Sequence, residues 1–310
     1  MPIPHRSKIL LFRPEVTYGL DPVPTGAAHA ILAVDIKVMP MEGQDISREL
    51  DLPNMGAEPT IPVDVHSKLT FKAELAPSGT AGTAPAWGPL LQACGCAQTI
   101  VASTSVTYNP VSSAHGSGTF YFYLGATLYR LTGARGTAKI TIGASSIPYI
   151  EFEFTGLFNA VAEGSRPTPV LTGFRAPLAS SRTNTPVFTL GGVALVMRQF
   201  TLDLGNQIET RFLINSESVM LVDRAEKVSI TVEAEAMTLI NPYALAAAQT
   251  TQAIVLQQGV AAGARATINV PMAQLQRPSG LEQSQNIVEW PLSLIPLPNT
   301  GNDQWTLVLT

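Results

Sequence analysis

The most reactive side chains of this sequence are few and widely separated. The chain has two cysteines, Cys94 and Cys96, and four scattered histidines. A disulfide across one intervening residue is strained, and a metal site would need ligands that the histidines do not supply at a regular spacing. The pattern therefore indicates two small buried thiols beside Gly95 rather than a disulfide or a metal site.

Paired carboxylates offer a second kind of chemistry. Glu151 and Glu153, and likewise Glu233 and Glu235, stand two residues apart, so each pair lies on one face of a strand. A general acid and base would also need a pocket and separated pKa values. The sequence contains no Gly-rich phosphate loop, nucleophile elbow or HExxH motif. We therefore interpret the pairs as solvated strand faces, and we predict no enzyme, no catalytic residue and no cofactor.

Composition narrows the class of protein further. Of the 310 residues, only 14% are charged and the net charge is −4, which disfavours tight binding to nucleic acid through phosphate neutralisation. With 24 glycines, 24 prolines and 7% aromatic residues, the chain has the composition of a loop-rich β protein. No apolar run approaches the roughly 20 residues of a membrane helix, and the N-terminus lacks the pattern of a signal peptide. We expect a protein that stays in the cytoplasm where it is made.

Strand and helix patterns occur twice in the same order, which predicts an internal repeat. In each half, two strands precede a helix whose first turn contains proline, and further strands follow. The matching segments are Ile31–Met41, Lys68–Glu74 and the helix Pro85–Ala97 in the first half, and Gly191–Met197, Lys227–Glu235 and the helix Asn241–Ala248 in the second.

Two similar glycine-containing segments extend the match. Gly133–Gly136 is predicted to be a turn between strands, and Gly263–Val270 resembles the segment that begins there. Each contains an arginine, Arg135 or Arg265, for which we predict a salt bridge between subunits or to a loop.

The repeat divides the chain into four parts. Residues 1–28 contain five prolines and are interpreted as an N-terminal arm that lies on a neighbouring subunit. Residues 29–160 form the first repeated domain and residues 187–310 the second. Between them, residues 161–186 are rich in Pro, Ser and Thr, a composition typical of a linker.

Five segments together resemble a bacteriophage tail tube protein, the major tail protein of phages with long non-contractile tails. No single one of them is diagnostic, and the resemblance covers most of residues 30–295. The segments are Lys68–Leu75, Ala86–Gly95, Tyr129–Thr137, Glu151–Leu157 and Phe200–Asn206.

The resemblance implies a fold, a function and partners. The fold would be mainly β, with two tandem β-sandwich-like tail-tube domains, each with a flanking α-helix, that contribute strands to a ring-wide β-barrel. Rings would stack into the phage tail tube, through which double-stranded DNA passes during ejection without specific binding. The expected partners are further copies of the chain, the tape measure protein and the tail-end proteins, with no membrane. The protein would be part of the virion tail, assembled in the host cytoplasm.

The duplication departs from family members that carry one tube domain per chain, and it leads to our prediction of a homotrimeric ring with pseudo-sixfold symmetry. The candidate lumen-facing residues are Glu151, Glu153, Glu233 and Glu235. The segment Glu49–Pro62 is long for a hairpin turn and is a candidate ring-stacking loop, represented by Asp51, Asn54 and Glu58.

Two other classes of protein stay open at this point. One is another phage tail component, such as a tail terminator, a baseplate protein or a receptor-binding β protein, which would not form long uniform tubes. The other is an enzyme, which would require a pocket with converging titratable groups.

Overall fold

The chain is mainly β, as its composition predicted. A computed structural model describes residues 4–310, in which 51% of the chain is strand and three short helices account for 5%. The strands pair antiparallel throughout the described residues, and the sheets do not close into a barrel within one chain.

We use "first copy" for residues 8–163. Its elements are β1 (Lys8–Pro14), α1 (Gly26–His29), β2 (Ala30–Ile31), β3 (Val34–Ser47), β4 (Thr60–Glu74), α2 (Gly88–Ala93), β5 (Cys96–Val101), β6 (Ser105–Pro110), β7 (Gly118–Leu124), β8 (Thr127–Gly143), β9 (Tyr149–Phe158) and β10 (Ala162–Glu163).

We use "second copy" for residues 187–309. Its elements are β11 (Val187–Leu190), β12 (Val193–Ala194), β13 (Met197–Asp203), β14 (Asn206–Leu213), β15 (Ser216–Arg224), β16 (Lys227–Glu233), α3 (Pro242–Ala247), β17 (Thr251–Gln258), β18 (Ala266–Leu275), β19 (Glu282–Ser284), β20 (Ile287–Pro296) and β21 (Thr306–Leu309).

Both copies contribute to one layer, which we call the shared sheet. Its strands follow the order β3–β4–β9–β8–β13–β16–β20, and β20 pairs in turn with the end of β18 and with β19. The first copy supplies β3, β4, β9 and the second half of β8. The second copy supplies β13, β16, β20 and the segment 275–284. The two copies therefore meet at the β8–β13 pair inside a single chain.

A second layer in each copy covers the apolar face of the shared sheet. In the first copy, β1 pairs with β7, and β7 pairs with the first half of β8. The Phe71 ring on β4 lies 5.9 Å from the Phe120 ring on β7, so the core fills the space between the two layers. Each fully buried large apolar side chain contributes about 1.5–3 kcal/mol. In the second copy, β11, β17, β18 and β21 form the covering layer, and β21 also pairs with β6 of the first copy.

The predicted turn at Gly133–Gly136 is wrong. β8 is one continuous strand that passes from the covering layer into the shared sheet. Pairing with β9 shifts register between Thr132 and Arg135, and Gly133 adopts φ +60° there. Glycine permits this left-handed conformation, so the signal for a turn marked a β-bulge at which the strand bends.

The N-terminal segment forms part of the first copy's core. Residues 8–14 form β1, whose Phe12 ring packs 4.6 Å from Phe120. Backbone pairing with β7 runs through the whole of β1, so this part of the predicted arm lies on its own chain. Residues 1–3 of the predicted arm lie outside the described residues.

Candidate functional site

The outer face of the shared sheet carries a transverse row of alternating charges. Strand register places one charged residue from each of five adjacent strands directly opposite the next. We call this the charge row, and it runs Lys72, Glu151, Lys139, Asp203, Lys227. It crosses the β8–β13 junction between the copies at the Lys139–Asp203 pair. Opposite charges in cross-strand pairs favour this register over a slipped one.

One pair of the charge row is a direct ion pair. Lys72 Nζ lies 2.8 Å from Glu151 Oε1, and the side chains are 37% and 38% exposed. The hydrogen bond that Lys72 donates to the Glu151 carboxylate raises the pKa of Lys72. At this exposure an ion pair contributes only about 0.2–1 kcal/mol, so the row contributes more to register than to stability.

Reversing the charge at the centre of the row tests its role. Lys139→Glu is expected to lower the free energy of unfolding by about 1 kcal/mol, because like charges would face it on both neighbouring strands. Urea denaturation measures the loss, and Lys139→Gln, which removes the charge without adding repulsion, serves as the control. The difference between the variants should shrink in high salt, since exposed charges are screened. Equal losses that do not respond to salt would contradict the role of the row.

A second ion pair lies on the shared sheet in the second copy. Arg198 Nε donates to both oxygens of Glu289, at 2.6 and 2.7 Å, and the Glu289 side chain is buried. The pair lowers the pKa of Glu289 and raises that of Arg198. The buried carboxylate is thus charge-compensated.

The predicted lumen carboxylates are not equivalent in the structure. Glu151 and Glu153 lie on the outer face of β9, where Glu151 is paired with a lysine and Glu153 is exposed. Glu233 ends β16, and Glu235 lies beyond that strand. The first pair therefore shares a strand face, whereas the second does not.

The β14–β15 hairpin of the second copy folds back onto the first copy. We call residues 206–224 the docked hairpin. Asn206 Nδ2 donates to the Cys94 and Gly136 carbonyls at 2.7 and 3.0 Å. Arg224 donates to the Val111 carbonyl at 2.6 Å, to the Gly95 carbonyl at 3.3 Å and to Asn206. Backbone carbonyls at the end of α2, on β8 and after β6 thus hold the base of the hairpin.

Arg135 and Tyr18 hold the docked hairpin nearer its tip. Arg135 Nη1 donates to the Val219 carbonyl at 2.8 Å, and the Val219 N–H donates to the Tyr18 hydroxyl at 2.6 Å. The guanidinium carbon lies 4.8 Å from the centroid of the Tyr18 ring, and Val219 is 0% exposed. Arg135, for which a salt bridge between subunits or to a loop was predicted, donates instead to backbone carbonyls and joins the two copies within this chain.

Neither Tyr18 nor Arg224 was singled out from the sequence. Tyr18 lies in a proline-containing segment, and Arg224 ends β15 while the carbonyls to which it donates are distant along the chain. No local pattern marks either residue, because their partners belong to the other copy.

Arg265 does not occupy the place of Arg135. It precedes β18 and donates to the Val260 carbonyl at 2.8 Å. Strand register indicates a different counterpart for Arg135. Gly136 pairs with Phe154 on β9, and Leu275 pairs with Leu294 at the corresponding position of β20, so Gly136 and Leu275 are equivalent. Counting back one residue in each copy makes Gln274 the counterpart of Arg135.

The corresponding hairpin of the first copy does not fold back. We call residues 40–66 the extended hairpin, in which β3 and β4 continue outward and pair as far as Ser47 and Thr60. The loop 48–59 joins them and contains the predicted stacking residues. Asp51 and Asn54 are exposed, whereas the Glu58 carboxylate accepts hydrogen bonds at 3.1 Å from the Ser47 hydroxyl and the Leu50 N–H.

The shared sheet ends in two open edges. Within residues 4–310, β3 pairs with β4 alone and β19 pairs with β20 alone. Apolar side chains lie exposed beside both edges, including Val34 near one and Leu281, 62% exposed, near the other. Unpaired strand edges are templates for pairing with another chain.

The thiols are buried, as the sequence indicated. Cys94 and Cys96 are both free cysteines, and burial raises the pKa of both, that of Cys96 to about 12. Among residues 4–310, no group of three or more His, Cys, Asp or Glu side chains is placed to hold a metal ion. The helices described in this range are all too short or too polar to cross a membrane.

These features define a mainly β protein built from two sandwich-like copies that share one sheet. The chain belongs to the family described as "Phage tail tube protein", which matches residues 6–290. A comparison with curated proteins found no match. The protein is therefore a structural subunit of the phage tail tube, a component of the virion tail that assembles with itself into a tube.

Proposed function

We propose that three copies of this chain form a closed ring with pseudo-sixfold symmetry, and that the rings stack into the tube of a long non-contractile tail. The observation that carries the proposal is the β8–β13 pair, by which the two copies already join edge to edge. The β3 edge of one chain pairs in the same way with segment 275–284 of the next. Repetition of a head-to-tail interface closes into a ring when the rotation allows it, and closure removes both open edges.

The dimensions of this ring suit a DNA channel. Four strands from each copy, two copies per chain and three chains give about 24 strands. At ~4.8 Å between strands and ~40° tilt, the backbone diameter is about 48 Å, which side chains narrow to roughly 35–40 Å. A duplex of about 20 Å passes through this channel. A barrel of half as many strands would leave no room for it.

The outer face of the shared sheet forms the channel wall in this proposal, with Glu151, Glu153 and Glu233 facing the lumen. Clustered Lys and Arg would bind phosphates and hold the DNA in place. The charge row instead places each lysine beside a carboxylate. This charge balance supports ejection of double-stranded DNA without specific binding.

The tube has further partners in this proposal. They are the tape measure protein and the tail-end proteins. Assembly takes place in the host cytoplasm. The loop 48–59, with Asp51, Asn54 and Glu58, makes contacts between stacked rings.

Electron microscopy of the purified chain tests the proposal. Long uniform tubes with a central channel are expected. Folded chains that remain single or form irregular aggregates at high concentration would contradict ring formation and favour another role in the tail.

Shortening the loop 48–59 tests its part in stacking. Deletion of residues 51–59 is expected to leave a folded, soluble chain that forms no tubes, because the loop lies outside both core layers. Circular dichroism checks the fold and electron microscopy the tubes. A variant in which Gly and Ser replace the same residues at equal length separates loss of side-chain contacts from loss of reach. Normal tubes from both variants would contradict the stacking role.

A further inference from the structure

The extended hairpin and the docked hairpin are equivalent by strand register. In the second copy, Asn206 lies three residues beyond the Asp203–Lys227 pair, and in the first copy Glu42 lies three residues beyond the Met39–Lys68 pair. Four residues further out, Thr210 pairs with Val219 in one hairpin and Ile46 pairs with Ile61 in the other. The two hairpins thus place apolar side chains at the same point.

Burial at that point differs sharply between the copies. Val219 is 0% exposed against the first copy, whereas Ile46 and Ile61 are 54% and 52% exposed. The docked hairpin is covered because the other copy stands beside it across the β8–β13 junction. The extended hairpin follows β3, which has no neighbour on that side among the described residues.

The surface that receives a hairpin also has an uncovered equivalent. The docked hairpin meets the C-terminal end of α2, where Cys94 and Gly95 are buried and a Cβ at Gly95 would lie 2.8 Å from Leu221 Cδ1. In the second copy, α3 ends in the same way, with a left-handed residue after its C-cap: φ is +54° at Gln249 and +72° at Gly95.

The end of α3 is exposed, in contrast to that of α2. Its exposed residues include three small apolar side chains and the left-handed residue that follows: Ala244, Ala247, Ala248 and Gln249. A helix face of this size and character matches the Ile46–Ile61 pair in chemistry, and in the isolated chain both are open to solvent.

We propose that the extended hairpin of one chain docks on the α3 end of the adjacent chain in the same ring, in the way that residues 206–224 dock on the first copy. The occupant is a second copy of this chain, and the inference rests on the ring proposed above. Docking covers the Ile46–Ile61 pair, Val63 and the alanine face of α3. Lateral contact of the hairpin base is compatible with axial contact by the loop 48–59, which has no counterpart in the two-residue turn of the docked hairpin.

Site-directed cross-linking tests the direction of docking. Val63 is the counterpart of Leu221, and Ala248 is the exposed C-cap of α3. Tubes of a Val63→Cys and Ala248→Cys double variant are treated with a short bis-maleimide and run on a denaturing gel. We expect a covalent series that ends at the number of chains in one ring, because a closed ring of lateral cross-links has no further partner. Each single variant is the control and should give no series, since Cys94 and Cys96 are buried.

The outcomes separate this inference from the proposed function. A ladder that continues far beyond the ring number would mean that the hairpin docks on the next ring, and absence of any cross-link in well-formed tubes would mean that it docks elsewhere. Either result overturns the inference and leaves the ring proposal standing. Failure of the unmodified chain to form tubes overturns the ring proposal itself. As a second measurement, Ile61→Cys should react with a maleimide in unassembled chains and be protected in tubes, and equal reactivity in both would also contradict docking.

Discussion

Rings of this tube are expected to contain three chains, and density at their outer surface is expected to repeat every third of a turn rather than every sixth. In the proposed ring the shared sheets would look nearly sixfold, because each copy supplies four strands. The β5–β6 hairpin and the loop 48–59 occur in the first copy alone, so they break the sixfold pattern. Electron cryomicroscopy with and without imposed sixfold symmetry decides between the two.

Mass per length provides an independent check on the count. Three chains of 32.9 kDa give half the mass per ring of six chains. Under threefold symmetry, density for the β5–β6 hairpin is expected at only three of the six equivalent positions around the ring, because only the first copy of each chain contains this hairpin. Six whole chains per ring would mean that the two copies are not equivalent tube domains.

The second large effect concerns the base of the docked hairpin. Arg224→Ala is expected to lower the free energy of unfolding by about 3–5 kcal/mol, because it leaves a buried carboxylate without its partner. Arg224 Nη1 lies 3.7 Å from Glu226 Oε1, and the two side chains are 11% and 6% exposed. The substitution also removes hydrogen-bond donors from the partly buried Gly95 and Val111 carbonyls. Denaturant unfolding measures the loss, with Arg211→Ala on the exposed face of the same hairpin as the matched control.

The pH dependence of that loss identifies its cause. Burial raises the pKa of Glu226, and Arg224 opposes the rise. Without the arginine, the folded-state pKa of Glu226 rises further above its unfolded value, so the folded state binds the proton more readily than the unfolded state. Stability then increases as the pH falls through the raised pKa. The defect of Arg224→Ala is expected to be largest near neutral pH and smaller in mild acid, and a constant defect would point to lost packing instead.

Local signals predicted the helices with some success. Asn241 caps α3, where its side chain accepts a hydrogen bond from the Ala244 N–H at 3.0 Å, as the sequence indicated. α2 spans fewer residues than the predicted Pro85–Ala97, because the chain turns at Gly95 into β5. Capping and periodicity act within a few residues, which is why a sequence reveals them.

The features of the candidate site depend on distant residues and were not predictable in the same way. The charge row exists only because β8 pairs with β13 in one register, which no local pattern of either strand specifies. The two hairpins are a second example: residues 40–66 and residues 206–224 are equivalent by strand register, yet the first hairpin extends outward and the second folds back. Whether a hairpin extends or folds back depends on the presence of a neighbouring copy beside it, and not on the strand propensity of its own residues.

The C-terminal strand has a consequence for the order in which the molecule forms. β21 lies between β18 and β6, so Tyr108 pairs with Leu307. During synthesis, β6 emerges long before its partner exists, and such distant pairings close slowly because a long loop must be ordered first. The β6 strand of the first copy therefore gains its partner β21 only after the second copy has been translated. A nascent chain that has made only the first copy lacks the β21 partner of β6, and we expect it to be unable to assemble until the second copy has been translated.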